Sequence, residues 1–382
     1  MRTIRPVARL VAAAATAAAV IGAAVIGAAA APAAANSGAA ATDRPAERDR
    51  VTVHPGESIQ RAIDAAPNDA TVVVAAGTYR ENLLITRPVT LAGQGSVTLE
   101  PPTTLVHNLC TDDPDAAPSD GTGARVGICV LGRLALPSPG SGGDLPTVVT
   151  PVADVHLKNL TVARFTEGIE AVGTHGLTVE SVTGRDNGDA GLLSFYGEGT
   201  VLSRVTLTGT AGFAAASLRM SRDVRVSASR FTGNAGIGLA LLDTRTGTVS
   251  GNVLTGNAVG LMVADTGDPH PTGDIRVTGN DVSDNTRYFP GDGSAPPMSG
   301  VGVALLGSNE VTVSGNRIAG NAPSNPDAFG GFGVGVLDAS TMTGGAAPTG
   351  NRVTGNRISG SPVAVNYDGS GSDNTIRGNH IS

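Results

Sequence analysis

The strongest constraint on this chain is a hexad that recurs through its second half. Val249-Ser250-Gly251-Asn252-Val253-Leu254 is followed by Val277-Thr278-Gly279-Asn280-Asp281-Val282 and Val313-Ser314-Gly315-Asn316-Arg317-Ile318. Two more copies are Val353-Thr354-Gly355-Asn356-Arg357-Ile358 and Ile376-Arg377-Gly378-Asn379-His380-Ile381. Each reads apolar, polar, Gly, Asn, variable, apolar. Apolar positions alternating with polar ones make short strands. Gly and Asn tolerate the left-handed backbone of a tight bend. Each copy is therefore strand, bend, strand, a unit too small to bury its own apolar face; stacking on its neighbours does that.

A third, Gly-led strand completes each unit. Gly168-Ile169-Glu170-Ala171-Val172, Gly191-Leu192-Leu193-Ser194-Phe195 and Gly212-Phe213-Ala214-Ala215-Ala216 are its early copies. The series continues from Gly238, Gly260, Gly302 and Gly333, and ends at Pro362-Val363-Ala364-Val365-Asn366. A period in the low twenties with three short strands per turn predicts an all-β solenoid, a parallel β-helix. The composition agrees: 53 glycines supply the turns, and 40% apolar residues supply a narrow continuous core.

The chain divides accordingly. Residues 1–35 read as a signal peptide: three Arg, an apolar run from Leu10 to Ala31, then Ala33-Ala34-Ala35 before Asn36. The alternative is a retained anchor. Residues 36–50 read as a flexible linker, and 51–100 as a short capping helix with the first rungs. Residues 101–154 read as a loop insertion and 155–382 as continuous repeats. Within Ser58–Ala66, Ile59, Ala62, Ile63 and Ala66 share one helical face.

Pro55-Gly56-Glu57-Ser58-Ile59-Gln60-Arg61-Ala62-Ile63-Asp64-Ala65-Ala66, then Val72-Val73-Val74 and Gly77-Thr78-Tyr79-Arg80-Glu81, resembles the opening of right-handed parallel β-helix proteins. Pectin methylesterases, pectate-lyase-like proteins and the NosD-like copper-accessory family begin this way, and the Gly-Asn copies resemble NosD-like repeats. The two resemblances cover most of 51–100 and 155–382. They imply a right-handed coil whose helix caps the open first rung. They also imply a substrate groove on the outer face of the Gly-led sheet, walled by loops. They specify fold far better than activity, since this scaffold hosts many chemistries.

Cys110 and Cys129 are the only cysteines, and in an exported chain they predict one disulfide. Asp112, Asp113, Asp115 and Asp120 lie between them. They read as a Ca²⁺ site or as a solvated acidic loop. The net charge is −7, and loss of Arg2, Arg5 and Arg9 with the leader makes the rest more acidic. That weighs against nucleic acid, which needs a basic footprint. An acidic polysaccharide would need a bound cation or a local Arg patch.

Aligned rung by rung, the ends of the Gly-led strands form a column: Gly173, Tyr196, Ser217, Asp243, Asp265, Gly307, Asp338 and Tyr367. Asp243 and Asp265 fall on adjacent rungs, roughly 5 Å apart. That spacing suits a Ca²⁺ site or the carboxylate pair of a retaining glycosidase. Alternatively, each Asp starts a turn by bonding its own downstream backbone. Asp243, Asp265 and Asp338 are the candidate catalytic residues, with Asp243 and Asp265 also the candidate metal ligands.

Long loops flank this face: Thr266–Asp274, Ser283–Ser299 and Ala322–Phe332. Loops of this length within a compact repeat point to function. Tyr196, Arg219, His270, Arg287, Tyr288 and Tyr367 are the candidate substrate-binding residues. Tyr288, Phe289, Phe329 and Phe332 form either a platform for a sugar ring or a cover for the apolar outer residues Leu242, Met262, Leu306 and Leu337. Near the early rungs, Glu170, Arg185, Asp186, Asp189, Glu198, Arg219 and Arg222 offer acids beside Arg. That combination suits proton abstraction next to a uronate; the same residues also read as solvating surface charge. The Asn column reads as an inward ladder, one amide per rung about 4.8 Å apart.

Known signatures do not transfer. The paired aspartates and arginine of pectin methylesterase, the Asn-Thr-Asp and Gly-His-Gly of polygalacturonase, and the Arg-rich pectate lyase motif are missing; Thr174-His175-Gly176 is a partial echo. His54, His107, His156, His175, His270 and His380 show no paired ligand spacing. Three readings stand. The first is a secreted protein that binds or acts on polysaccharide as lyase, epimerase or hydrolase. The second is a non-catalytic extracellular or cell-surface scaffold for a glycan, cell-wall polymer or protein. The third is a metal-site accessory protein, by NosD resemblance alone. No integral membrane domain is expected after leader removal. The last rung predicts a loop cap or end-to-end association of a second copy.

Overall fold

The computed structural model describes residues 49–112, 124–135, 146–268, 272–291 and 295–382. Residues 1–48, read above as a leader and most of a linker, lie outside these residues, as do Asp113, Asp115, Asp120 and His270. Among the described residues no helix is long and apolar enough to cross a membrane.

The described chain is a β-helix. The first strands of successive rungs pair in parallel from His156–Lys158 through Thr178–Glu180, Val201–Ser203 and on to Thr375–Arg377. The second strands run from Thr161–Ala163 to His380–Ile381 in the same way. The Gly-led strands form the third sheet, from Leu83–Ile85 to Val363–Tyr367. Inward residues of all three share one core: Val249, Val277 and Val313 from the first, Leu254, Val282 and Ile318 from the second, Leu239, Leu261 and Val303 from the third. All nine are 0% exposed, each worth about 1.5–3 kcal/mol of transfer free energy.

Helix Ile59–Ala65 buries Ile59 and Ile63 against the first strands. Ser58 caps it by accepting from the Arg61 amide. Glu81 accepts from the Ile59 and Gln60 amides and the Ser58 hydroxyl, so donors left open by the first turn are satisfied.

The bends carry the predicted ladder. Nδ2 of Asn252 donates to Oδ1 of Asn280 at 3.0 Å, and Asn280, Asn316 and Asn356 repeat this to Asn316, Asn356 and Asn379 at 2.9 Å each. Each of these amides also donates to the carbonyl of an apolar strand residue, as Asn280 does to Val249. A second ladder, Asn234, Asn257, Asn285 and Asn321, runs along the corner after the second strand. Its signal was a second Gly-Asn step, Gly233-Asn234, Gly256-Asn257 and Gly320-Asn321, five residues after the first in two of these rungs.

Segment 101–154 is not all insertion. Val126–Leu131 pairs with Leu83–Ile85 on one side and Glu167–Val172 on the other, completing the Gly-led sheet. The Cys110–Cys129 disulfide, with a Cα–Cα distance of 6.1 Å, ties the preceding loop to this strand.

Two registers differ from the sequence alignment. Ala214–Arg219 pairs Ala214 with Ala190, so Ala215, not Gly212, continues the glycine column. Inward burial of Ala216 and Leu218 sets that register, and slipping it would turn Arg219 inward. Gly212 serves the preceding corner instead, where a Cβ would lie 2.4 Å from the Asp189 carbonyl oxygen. In the last rung Val363 pairs with Phe332, so Ala364 replaces Pro362 in the column. Val363 and Ile381 on that rung are exposed.

Candidate functional site

The outer face of the Gly-led sheet is divided. Over the later rungs it is dry. Ile237, Ala240, Leu242, Val259, Met262, Ala304 and Leu306 form a second apolar cluster with Phe289, Met298 and Phe332. Phe329 stacks edge-on against Phe332 at 5.4 Å, and Phe213 against Phe289 at 6.4 Å. Tyr288–Phe289 pairs antiparallel with Met298-Ser299, folding its loop back onto the sheet. The Phe side chains are therefore cover, and the open groove expected along the whole sheet is filled here by the protein's own loops.

Over the earlier rungs polar groups enter the face beside a smaller apolar cluster of Val172, Phe195 and Met220. The corrected register puts Arg219 between Phe195 and Leu242 in the last outward column. The next position along the chain reads Gly173, Tyr196, Met220, Asp243, Asp265, Gly307 and Asp338. Met220 thus takes the place assigned to Ser217, and Tyr367, level with Val336, lies outside the column. Tyr196 and Asp243 have φ of 54° and 49°, the left-handed turn that ends each strand.

Four side chains converge electrostatically. The Asp243 carboxylate is buried; Oδ1 accepts from the Thr266 amide at 2.7 Å and Oδ2 from the Thr266 hydroxyl at 2.6 Å. The same hydroxyl lies 3.3 Å from Oδ2 of Asp268. Burial pushes the Asp243 carboxyl up to about 6, and Asp268 adds to this, against the pull of the Thr266 donors and Arg219. Burial lowers the Arg219 guanidinium, which Asp243, Asp268 and Tyr196 draw back. Nε and Nη2 of Arg219 are buried with no hydrogen-bond partner among the described residues. Burial, with Asp268, lifts the Tyr196 hydroxyl to about 12, so it keeps its proton at neutral pH.

The other predicted site residues go elsewhere. Asp265 follows Asp243 by one rung, but its carboxylate accepts from the Gly267 amide at 2.8 Å and the Ala346 amide at 3.4 Å. It is the turn-forming Asp of the alternative reading; Asp243 instead bonds the next rung. Donors of the protein fill both, and among the described residues no three His, Cys, Asp or Glu side chains gather to hold a metal. Asp338 bonds the Ser340 amide, and its own amide donates to Asp368. Tyr367 donates to the Ser370 carbonyl four rungs beyond Asp243, about 19 Å away. Tyr288 is exposed on the covering strand, and Arg287 is exposed beside the Gly233 bend. The structure thus joins Tyr196, Arg219 and Asp243 and separates them from Asp265, Asp338, Arg287, Tyr288 and Tyr367. Sequence reasoning missed the roles of Thr266 and Asp268; the flag was the Asp-Thr-Gly-Asp run directly after a Gly-led strand.

Comparison with known proteins bears on the scaffold. The family described as a right handed beta helix region matches residues 167–381. The A-module of Azotobacter vinelandii mannuronan C-5 epimerase AlgE4 is 19% identical, with a TM-score of 0.53 over 85% of this chain and 92% of that one. The periplasmic alginate epimerase AlgG is 13% identical, with a TM-score of 0.51 over 87% of this chain and 83% of that one. At these identities the likeness establishes a shared fold. No curated protein matches the chain.

Proposed function

Because the chain belongs to the right-handed β-helix family, we propose that it is an exported protein acting on a uronate-bearing polysaccharide at Tyr196, Arg219, Asp243 and Asp268. The observation that carries this is Arg219, whose buried Nε and Nη2 donors lack a partner among two acids and a phenol. An unspent guanidinium edge fits a carboxylate in a two-point embrace. A uronate docked there has its charge offset, which acidifies the adjacent C5–H. We assign the half-exposed Asp268 as the base that takes that proton. Asp243 supports it through the shared Thr266 hydroxyl, and Tyr196 holds the proton to be returned. Return of a proton to C5 gives epimerisation; expulsion of the 4-linked sugar gives elimination. The two similar structures, both named as alginate or mannuronan epimerases, are consistent with this chemistry, and the disulfide and the leader-like N-terminal sequence fit an extracytoplasmic site of action.

The test is a panel of polyuronates incubated with the protein in D₂O, with and without Ca²⁺. Deuterium at C5, ultraviolet absorbance of unsaturated uronate ends and new reducing ends separate epimerase, lyase and hydrolase. Arg219→Gln and Tyr196→Phe should each reduce turnover by about 100-fold or more. No product from any polymer would refute the catalytic reading. The scaffold reading has its own support, the filled outer face of the later rungs; binding without turnover would establish it.

A further inference from the structure

The first-strand sheet carries a second surface. Arg225, Thr248, Arg276, Thr312, Arg352 and Thr375 stand in register on six consecutive rungs. The column alternates Arg and Thr, and the three Arg are exposed. Two residues along each of the first five strands, hence on the same face, Ser227, Ser250, Thr278, Ser314 and Thr354 make a parallel column of hydroxyls, which Ser203 extends on the preceding rung and Arg377 ends on the sixth. None of the three Arg has an ion pair or side-chain hydrogen bond among the described residues. Asp223 and Asp274 stand two residues before Arg225 and Arg276, yet Asp274 is bonded to Arg245 at 2.9 Å.

We propose that this Arg/Thr stripe is a docking surface, separate from the candidate site, for a linear acidic polysaccharide lying along the solenoid axis. Register is the main argument. The Arg recur every second rung, roughly 9.6 Å apart. A pyranose unit is about as long as a rung is high, and in an extended two-fold chain alternate carboxylates point the same way. One edge of such a chain therefore meets an Arg at each carboxylate, while the hydroxyl columns meet sugar hydroxyls between them. Chemistry is the second argument. The two columns contain no aromatic side chain, so nothing there stacks on a neutral sugar, while guanidinium is the natural partner of carboxylate.

The test uses oligomannuronates of graded length and the full chain, by calorimetric titration. An Arg219→Gln background silences the candidate site, so remaining binding reports the stripe. Affinity should rise steeply until the oligomer spans Arg225 to Arg352, about 19 Å, and fall with added salt. Arg225→Gln/Arg276→Gln/Arg352→Gln should lose about tenfold in affinity. Arg230→Gln/Arg317→Gln/Arg357→Gln removes the same charge from the second-strand sheet and should lose under about twofold. Equal losses in the two triple variants would overturn the proposal, as would dextran or duplex DNA binding as tightly as the oligomannuronate. Disappearance of binding in Arg219→Gln alone would also overturn it while leaving the candidate site standing.

Discussion

Asp243→Asn sets stability against function at one atom. The carboxyl sits at about 6 in the fold against an ordinary 3.8, which favours its protonated form by about 3 kcal/mol. A raised carboxyl contributes stability that is full below pH of about 4 and is lost as pH rises through about 6. At pH 8 the wild type therefore carries that cost, and a neutral amide does not. Asn keeps an oxygen for the Thr266 amide, while the Thr266 hydroxyl turns to accept from Nδ2 and offers its proton to Asp268. The expected gain is about 2–3 kcal/mol at pH 8 and near zero at pH 4. Urea denaturation of both proteins at pH 4, 6 and 8 measures it, with turnover on the responsive polymer assayed alongside. Activity should fall as stability rises. A variant less stable than wild type at pH 8, or one with an unchanged pH slope, would refute the reading of Asp243 as a desolvated, functionally held carboxylate.

Asn280→Ala removes the acceptor of the Asn252 amide and side chain and the donor to Val249 and Asn316; the expected loss is about 3–5 kcal/mol by denaturation, against about 1 kcal/mol for Asn379→Ala at the less buried end of the ladder. Replacing Cys110 and Cys129 with Ser should cost about 3 kcal/mol, read as a lower melting temperature that reducing agent no longer affects. The Arg164 hydrogen bond to buried Glu100, with the charges of Arg164 and Arg80, holds its carboxyl below the ordinary range despite burial. Its contribution is present above the unfolded value and lost as pH falls through the folded one. Glu100→Gln should therefore destabilise the protein at pH 7 and flatten the acid limb of its stability curve; an unchanged acid limb would contradict this.

The repeat alone determined the solenoid. A unit of strand, bend and strand with Gly-Asn at its centre has one way to bury its apolar side, which is to stack, and inward amides then have one another as partners. The capping helix, the Asn column and the single disulfide follow from local patterns of this kind, whereas the apolar outer residues Leu242, Met262 and Leu306 allowed either a sugar platform or a cover, and packing decided for the cover. The candidate site was only half legible. Tyr196, Arg219 and Asp243 could be named, but Asp265, Asp338 and Tyr367 could not be told apart from them, because strand-end positions look alike in sequence, and Tyr288 could not be placed because its loop has no repeat to align. Tertiary structure decided between them through register. A slip of three residues in one short Ala-rich strand, governed by which residues bury inward, moved Ser217 out of the column and set Arg219 beside Asp243. Burial did the rest: it raised Asp243, spent Asp265 on the backbone of its own turn, and left Arg219 with donors to give. Stacking also turned Arg225, Arg276 and Arg352, scattered over more than a hundred residues of chain, into a line with a regular step. Those outcomes depend on desolvation and on distances across rungs, which no local pattern of residues contains.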